Sequence, residues 1–276
     1  MISIPCAVPT ESFRKQISFF EYQHKKVYGK NASDKAILAI VSRNHFDEPP
    51  IDDIGWHINL PYKIVKSVYD YVDGTEQWYL PINVFTAAKQ VIEHLPDNEV
   101  VEIIDSDLVH LKPHPESYDD LPYDLVVADS TYEDWHMHIS KPDSKNREVI
   151  KEYLWHDMNI YMNGGFNVIG RVKTIKKIID DIIRYSVLVT EKYKGGSNSW
   201  WCAMYGLNIA CHNHRIKMIS GGNCYYPNVN NLNQNHYIAH YSCDPKFDKH
   251  KIPNVDVDSF PDNEFYKAAK KWLETV

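Results

Sequence analysis

The chain alternates between short unbroken apolar runs and longer stretches whose apolar residues recur every three or four positions. Residues 2–8 are apolar and stop at Pro9, which reads as a buried strand. Thr10 or Ser12 then caps a helix over 13–28, stopped near Gly29. Residues 36–41 form a second buried strand, and 46–62, rich in Pro and Asp, read as loop. Pro81 opens a helix that places Ile82, Phe85, Ala88, Val91, Ile92 and Leu95 on one face, and Pro96 ends it. Strands follow at 100–104 and 125–128, and another around a glycine pair within 160–169. Helices are expected over 175–189 and 200–211, short strands at 216–219 and 237–241, and an amphipathic helix over 263–274. This alternation argues an α/β fold, with a mixed, mostly parallel sheet flanked by helices. No repeat, low-complexity tract or linker divides the chain, so 1–276 is expected to be a single domain.

Composition narrows the function classes. With 276 residues, 43% hydrophobic and 24% charged, the chain can bury a sizeable core. Thirty basic against 37 acidic side chains leave a net charge of −7, which excludes a nucleic-acid coat but allows a local basic patch around one phosphate ligand. Five widely spaced cysteines without a CxxC argue against a disulfide framework or a zinc ribbon. No apolar run approaches the ~18–20 residues of a membrane span, and no secretory leader is visible, so a cytoplasmic protein is expected. The aromatic content, 13% with 19 Tyr and 7 Trp, exceeds what a core alone needs.

Three local patterns carry chemistry. The strand 100–104 runs directly into Asp105-Ser106-Asp107, and ligands of open α/β sheets sit at the carboxyl ends of strands. Two carboxylates that close repel each other and call for a cation; hard oxygen donors suit Mn²⁺ or Mg²⁺, whose shell phosphate oxygens complete. The plainer alternative is a turn that Asp105 caps. Near the end of the chain, His240 follows a short apolar strand and Lys246 lies six residues later: an imidazole able to act as a third metal ligand and an ammonium able to meet a diphosphate. Between them, Asn163-Gly164-Gly165 sits in a strand pattern, where glycine marks a bulge or the close approach of a ligand; a simple turn is the alternative.

Taken in order, the strand ending in DxD, the Asn-x-Gly strand and the late His and Lys resemble a GT-A glycosyltransferase. Over most of the chain the resemblance extends to plant hydroxyproline O-arabinosyltransferases and peptidyl-serine galactosyltransferases. It rests on Ser12-Phe13-Arg14-Lys15-Gln16, Pro81-Ile82-Asn83-Val84-Phe85, Trp200-Trp201-Cys202-Ala203-Met204-Tyr205 and Ala239-His240-Tyr241-Ser242. The family's Glu in the tryptophan segment is Ala203 here, and the plant membrane anchor is absent, which suggests a soluble viral or bacterial pentosyltransferase.

The resemblance implies a GT-A, Rossmann-like fold in which 1–120 hold the nucleotide sugar and 121–276 the acceptor. It implies a UDP-sugar donor and a metal, Mn²⁺ or Mg²⁺, held by Asp107, His240 and Asp105, with Asp105 on the metal, the ribose or both. Ser106, Asn163, Gly164 and Gly165 belong to the donor site, Lys246 meets the diphosphate, and Val8, Thr10, Arg14 and Arg43 lie near the base and phosphates. An inverting reaction needs a base, for which Asp157 is the first candidate and Asp129 the second. The expected partners are the nucleotide-sugar donor (xylose, arabinose or galactose) and a glycan or glycoprotein acceptor, with one of Trp135, Tyr161, Trp200 and Trp201 as a sugar platform. Two other readings compete. One is a haloacid-dehalogenase-type phosphatase with Asp105 as nucleophile and Asp180-Asp181 as its late acidic pair; the other is a non-catalytic sugar-binding module.

Overall fold

A computed structural model describes residues 1–7, 11–42, 58–66, 80–115, 118, 123–127, 148, 150–155, 167–192, 202–221, 224–227, 231–241 and 244–276. The strands are β1 (Ile2–Ala7), β2 (Leu38–Ser42), β3 (Tyr62–Lys66), β4 (Val100–Asp105), β5 (Leu108–His110), β6 (Leu125–Val127), β7 (Val168–Arg171), β8 (Met218–Ser220), β9 (Cys224–Tyr225) and β10 (Ile238–His240). The helices are α1 (Glu11–Tyr28), α2 (Leu80–Ile92), α3 (Val172–Lys192), α4 (Cys202–Asn213) and α5 (Glu264–Leu273).

Seven strands form the main sheet in the order β3-β2-β1-β4-β7-β6-β8. Strand β7 runs antiparallel to both of its neighbours, and every other pairing in this sheet is parallel. A small sheet, β5-β10-β9, continues from the end of β4. Alternation along β4 divides the interior in two. Val101 and Ile103 join a core with α2, α3 and α4, whereas Val100 and Ile104 join a second core with α1, α5 and the small sheet. Glu102 lies between Val100 and Ile104 on that second face and is fully buried.

The first core depends on one close approach. A side chain on Gly206 of α4 would collide with Ser186 Oγ and the Ile182 carbonyl of α3, so only glycine lets these helices meet. The second core is aromatic: Phe19 of α1 lies 5.0 Å from Trp272, 5.3 Å from Phe247 and 5.7 Å from Tyr241, ring centre to ring centre. Tyr237, Phe265 and Tyr266 are buried in the same cluster. Much of the aromatic excess is therefore core, more than its abundance led one to expect.

Predicted and observed elements agree in kind, with shifts of a few residues at the ends. Ser12 is an exception. It lies inside α1 and accepts a hydrogen bond from the Gln16 amide (3.3 Å) instead of capping the helix. Strand β3 begins where the expected loop should end; Tyr62 and Ile64 point to solvent, which hides it from an apolar pattern. The strand expected within 160–169 is described only from residue 167 and continues to Arg171. Among the described residues no helix is long and apolar enough to cross a membrane.

Candidate functional site

Strand β4 stops at Asp105 because the chain turns through Ser106 and Asp107 into β5. The turn is held from two sides. The Ser106 amide donates to Asp105 Oδ1 (2.7 Å), and the Ser106 hydroxyl donates to Gln16 Oε1 of α1 (2.7 Å). Ser106 is thus a positioning residue whose hydroxyl faces the helix. Strand β5 pairs antiparallel with β10, which sets His240 opposite Leu108, and the Tyr241 amide donates to the Asp107 carbonyl (3.2 Å). This register delivers His240 to Asp107, with Nε2 at 3.2 Å from Oδ1. From the segment after Asp244, the Lys249 ammonium reaches Asp107 Oδ2 at 2.6 Å.

Asp107 is 1% exposed, yet its Oδ1 has no hydrogen-bond partner among the described residues. A buried carboxylate oxygen left in this state costs free energy unless a cation meets it. Burial pushes the Asp107 carboxyl upward, but Lys249 and then His240 outweigh it and hold the group well below the usual carboxylate range. For Asp105, burial and then the Asp107 charge push the carboxyl up to about 6. The loop therefore presents one firm anion beside a second carboxyl whose charge that anion and burial disfavour, a cost that an added cation relieves. The orphaned Asp107 oxygen and the His240 imidazole 3.2 Å away can offer two ligands to a cation such as Mn²⁺; Asp105 shares the turn but does not complete a set of three ligand atoms within 4.8 Å of one another.

The structure brings together Asp105, Ser106, Asp107 and His240 from the expected set. Lys246 lies on the same late segment; it is exposed, and its backbone amide donates to Asp244 Oδ1 (2.9 Å). Arg14 is exposed on α1, where both of its guanidinium contacts go to Glu11 (2.9 and 2.7 Å). Val8, Thr10, Arg43, Asp129, Trp135, Asp157, Tyr161, Asn163, Gly164, Gly165, Trp200 and Trp201 lie outside the described residues. Two features had no part in the sequence reading. Lys249 is one of several lysines in 246–251, and nothing in that pattern selects it. Glu102, His110 and His114 form a second buried cluster; its signal is an acid in the middle of an apolar strand, followed by two histidines four residues apart.

Asp180 and Asp181 do not form a late acidic pair at a strand end. Both lie in α3, Asp180 bound to Lys89 (2.7 Å) and Asp181 bound to Arg184 (2.8 Å) and His214 (2.5 Å).

No protein-family model matches the chain, and no curated protein matches it. Solved structures do. The galactosyltransferase LgtC, in complex with donor and acceptor sugar analogs, superposes with a TM-score of 0.56 at 10% identity, over 100% of this chain and 96% of that one. An active-site mutant of LgtC gives 0.57 at 10% identity, over 100% and 96%. The apo structure of the bifunctional glycosyltransferase WbbM gives 0.57 at 10% identity, over 99% of this chain and 49% of that longer one. The chain has the fold of the GT-A glycosyltransferases: a single α/β domain on a mostly parallel seven-stranded sheet.

Proposed function

We propose that this protein is a metal-dependent glycosyltransferase that moves a sugar from a UDP-sugar to a hydroxyl of a glycan or glycoprotein. The observation that carries this reading is Asp107: a buried carboxylate at the carboxyl end of central strand β4, with an orphaned oxygen facing His240 and a lysine on its other oxygen. Asp107 and His240 hold the ion, and Asp105 binds the ion, the ribose or both. When bound, Mn²⁺ or Mg²⁺ supplies Lewis-acid stabilisation of the departing diphosphate. Ser106 keeps the two carboxylates in one turn by anchoring it to α1. Lys246, exposed on the segment that also carries Lys249, meets the diphosphate. Val8, Thr10, Arg14 and Arg43 surround the base and phosphates, and Asn163, Gly164 and Gly165 let the donor sugar approach the backbone. For an inverting reaction Asp157, or else Asp129, takes the acceptor's proton.

Galactose, xylose and arabinose are the donor sugars this reading favours. The name of the LgtC neighbour supports the first, and the ordered motifs that resemble the plant enzymes support all three. One of Trp135, Tyr161, Trp200 and Trp201 gives the acceptor sugar an apolar face to stack on.

A panel of nucleotide sugars scored for Mn²⁺-dependent release of nucleoside diphosphate tests the proposal and names the donor. The expected result is turnover with a UDP-sugar that requires metal and disappears in Asp107→Ala. Calorimetry showing no metal-dependent UDP binding would overturn it in favour of a sugar-binding module. Aryl-phosphate turnover lost in Asp105→Asn would overturn it in favour of a phosphatase, a reading that the helical setting of Asp180 and Asp181 disfavours.

A further inference from the structure

Three residues before the DxD loop, a second acid is buried under quite different conditions. Glu102 is 0% exposed. Its Oε1 accepts the Tyr237 hydroxyl (3.1 Å) and the Asn167 side-chain amide. Its Oε2 lies 2.8 Å from Ser3 Oγ, 2.9 Å from His110 Nε2 and 3.2 Å from His114 Nε2. Ser3 is the register partner of Glu102 across β1 and β4, and its Oγ stands 3.5 Å from His110 Nε2 and 3.4 Å from His114 Nε2. These four atoms mark the corners of a small tetrahedron with five edges of 2.8–3.5 Å. Four ligands at about 2.0–2.1 Å from a tetrahedral Zn²⁺ would stand about 3.3–3.4 Å apart.

Hydrogen-bond direction points the same way. The Ala32 carbonyl only accepts, so His24 Nε2, 3.2 Å away, carries a hydrogen. His24 is fully buried and hydrogen-bonds no carboxylate, so its ring is neutral and its Nδ1 presents a lone pair. That lone pair faces His110 Nδ1 at 3.3 Å, which must therefore carry a hydrogen. His110 so held turns Nε2 toward the Glu102 oxygen 2.9 Å away, where a proton or a bound cation can sit between them. His114 Nδ1 has no hydrogen-bond partner among the described residues, so this ring makes its polar contacts with the cluster through Nε2. A carboxylate oxygen that accepts the Ser3 hydroxyl and two ring nitrogens thus converge on one buried point, where a proton or a cation offsets the carboxylate charge.

We propose that Glu102, His110 and His114, with Ser3 Oγ at the fourth corner, bind one Zn²⁺ that ties β1, β4, β5 and the segment after β5 together. Two imidazoles and a carboxylate in tetrahedral array suit zinc better than the six-oxygen shells of Mg²⁺ or Mn²⁺. The site is closed except at His114, whose side chain is 9% exposed. Its metal is separate from the one the DxD loop would hold.

The test is zinc content, measured by atomic emission on full-length protein purified without chelator or metal-affinity resin. The expected result is about one zinc ion per chain in the wild type and in Asp107→Ala, and loss of that zinc in His114→Gln. Wild-type protein that holds no zinc and takes up none from zinc chloride overturns the proposal, as does zinc lost in Asp107→Ala and kept in His114→Gln. A wild-type measurement makes the test independent of how the variants fold: Co²⁺ in place of zinc should give the strong visible bands of a four-coordinate ion. A spectrum with only weak six-coordinate absorption overturns the proposal; so does a melting temperature of chelator-stripped protein that does not rise when equimolar zinc is restored.

Discussion

Strand β4 carries one acid in its middle and another just beyond its end, and the two are treated in opposite ways. Glu102 receives a hydroxyl and an amide on Oε1, with a hydroxyl and two imidazoles around Oε2, drawn from β1, β5, the segment after β5, the residue before β7 and the residue before β10. Asp107 receives a lysine on one oxygen and leaves the other without a hydrogen bond, beside an imidazole. Both are buried, so low dielectric alone does not separate them. Position does. The middle of a central strand is enclosed by its neighbours and by both cores, whereas its carboxyl end opens into loops that can deliver charge from distant parts of the chain. An enclosed acid can be met only by groups, or an ion, that are buried with it as the sheet forms, while an acid at the strand end can stay partly unsatisfied and open to a ligand arriving later.

The largest expected effect breaks the strand-end site. Asp107→Asn keeps the shape but removes a charged ligand. Its metal-dependent UDP-sugar turnover should fall about 10³-fold, the rate equivalent of losing several kcal/mol of leaving-group stabilisation, as read from initial rates. The next breaks the enclosed acid. Glu102→Ala strands Ser3, His110, Asn167 and Tyr237 together and should cost about 3–5 kcal/mol in urea unfolding. Asp107→Asn should cost clearly less in the same assay, because His240 and Lys249 are 15% and 17% exposed and water can reach them. Equal losses would abolish the distinction. A sharper probe is Lys249→Ala. With its 2.6 Å ion pair gone, the ammonium no longer competes for Asp107, and Mn²⁺ binding without nucleotide should tighten about tenfold by calorimetry. The last effect, similar in size, returns to the enclosed acid. Asn167→Ala removes one of its donors and should cost about 1–3 kcal/mol, measurable by the same urea titration.

The fold was legible wherever burial leaves a periodic trace. The uninterrupted apolar stretch of β4, the one-sided face of α2 and the alternation of strand and helix together specify a mostly parallel α/β sheet. Strand β3 was not legible, because an edge strand that turns Tyr62 and Ile64 outward shows no buried face. Strands β5 and β9, with three and two residues, are too short for any period. In the site, Asp105, Asp107 and His240 could be read because a strand ending in acids and a strand ending in histidine are local patterns. Their meeting depends on the β5–β10 register, and Lys249 depends on a turn nine residues past the last residue of that pairing, His240. The Glu102 cluster escaped for a related reason. The acid was visible inside β4, but its partners Ser3, Asn167 and Tyr237 are scattered along the chain, and only the sheet brings them together.

The aromatic cluster around Phe19 sets the order in which this molecule can be finished. Helix α1 is synthesised well before the segments it packs on: Phe19 packs on Phe247, Phe265 and Trp272, and the Trp272 indole donates to Ser18 Oγ (3.2 Å). Until those residues emerge, the face of α1 that carries Phe19 lacks these aromatic partners. The same late stretch brings His240 and Lys249, the imidazole and the ammonium that Asp107 meets where it is buried. Synthesis therefore passes through an interval in which the sheet can begin to assemble on α2, α3 and α4, and the DxD loop and the second core can close only after residues 237–272 have been made.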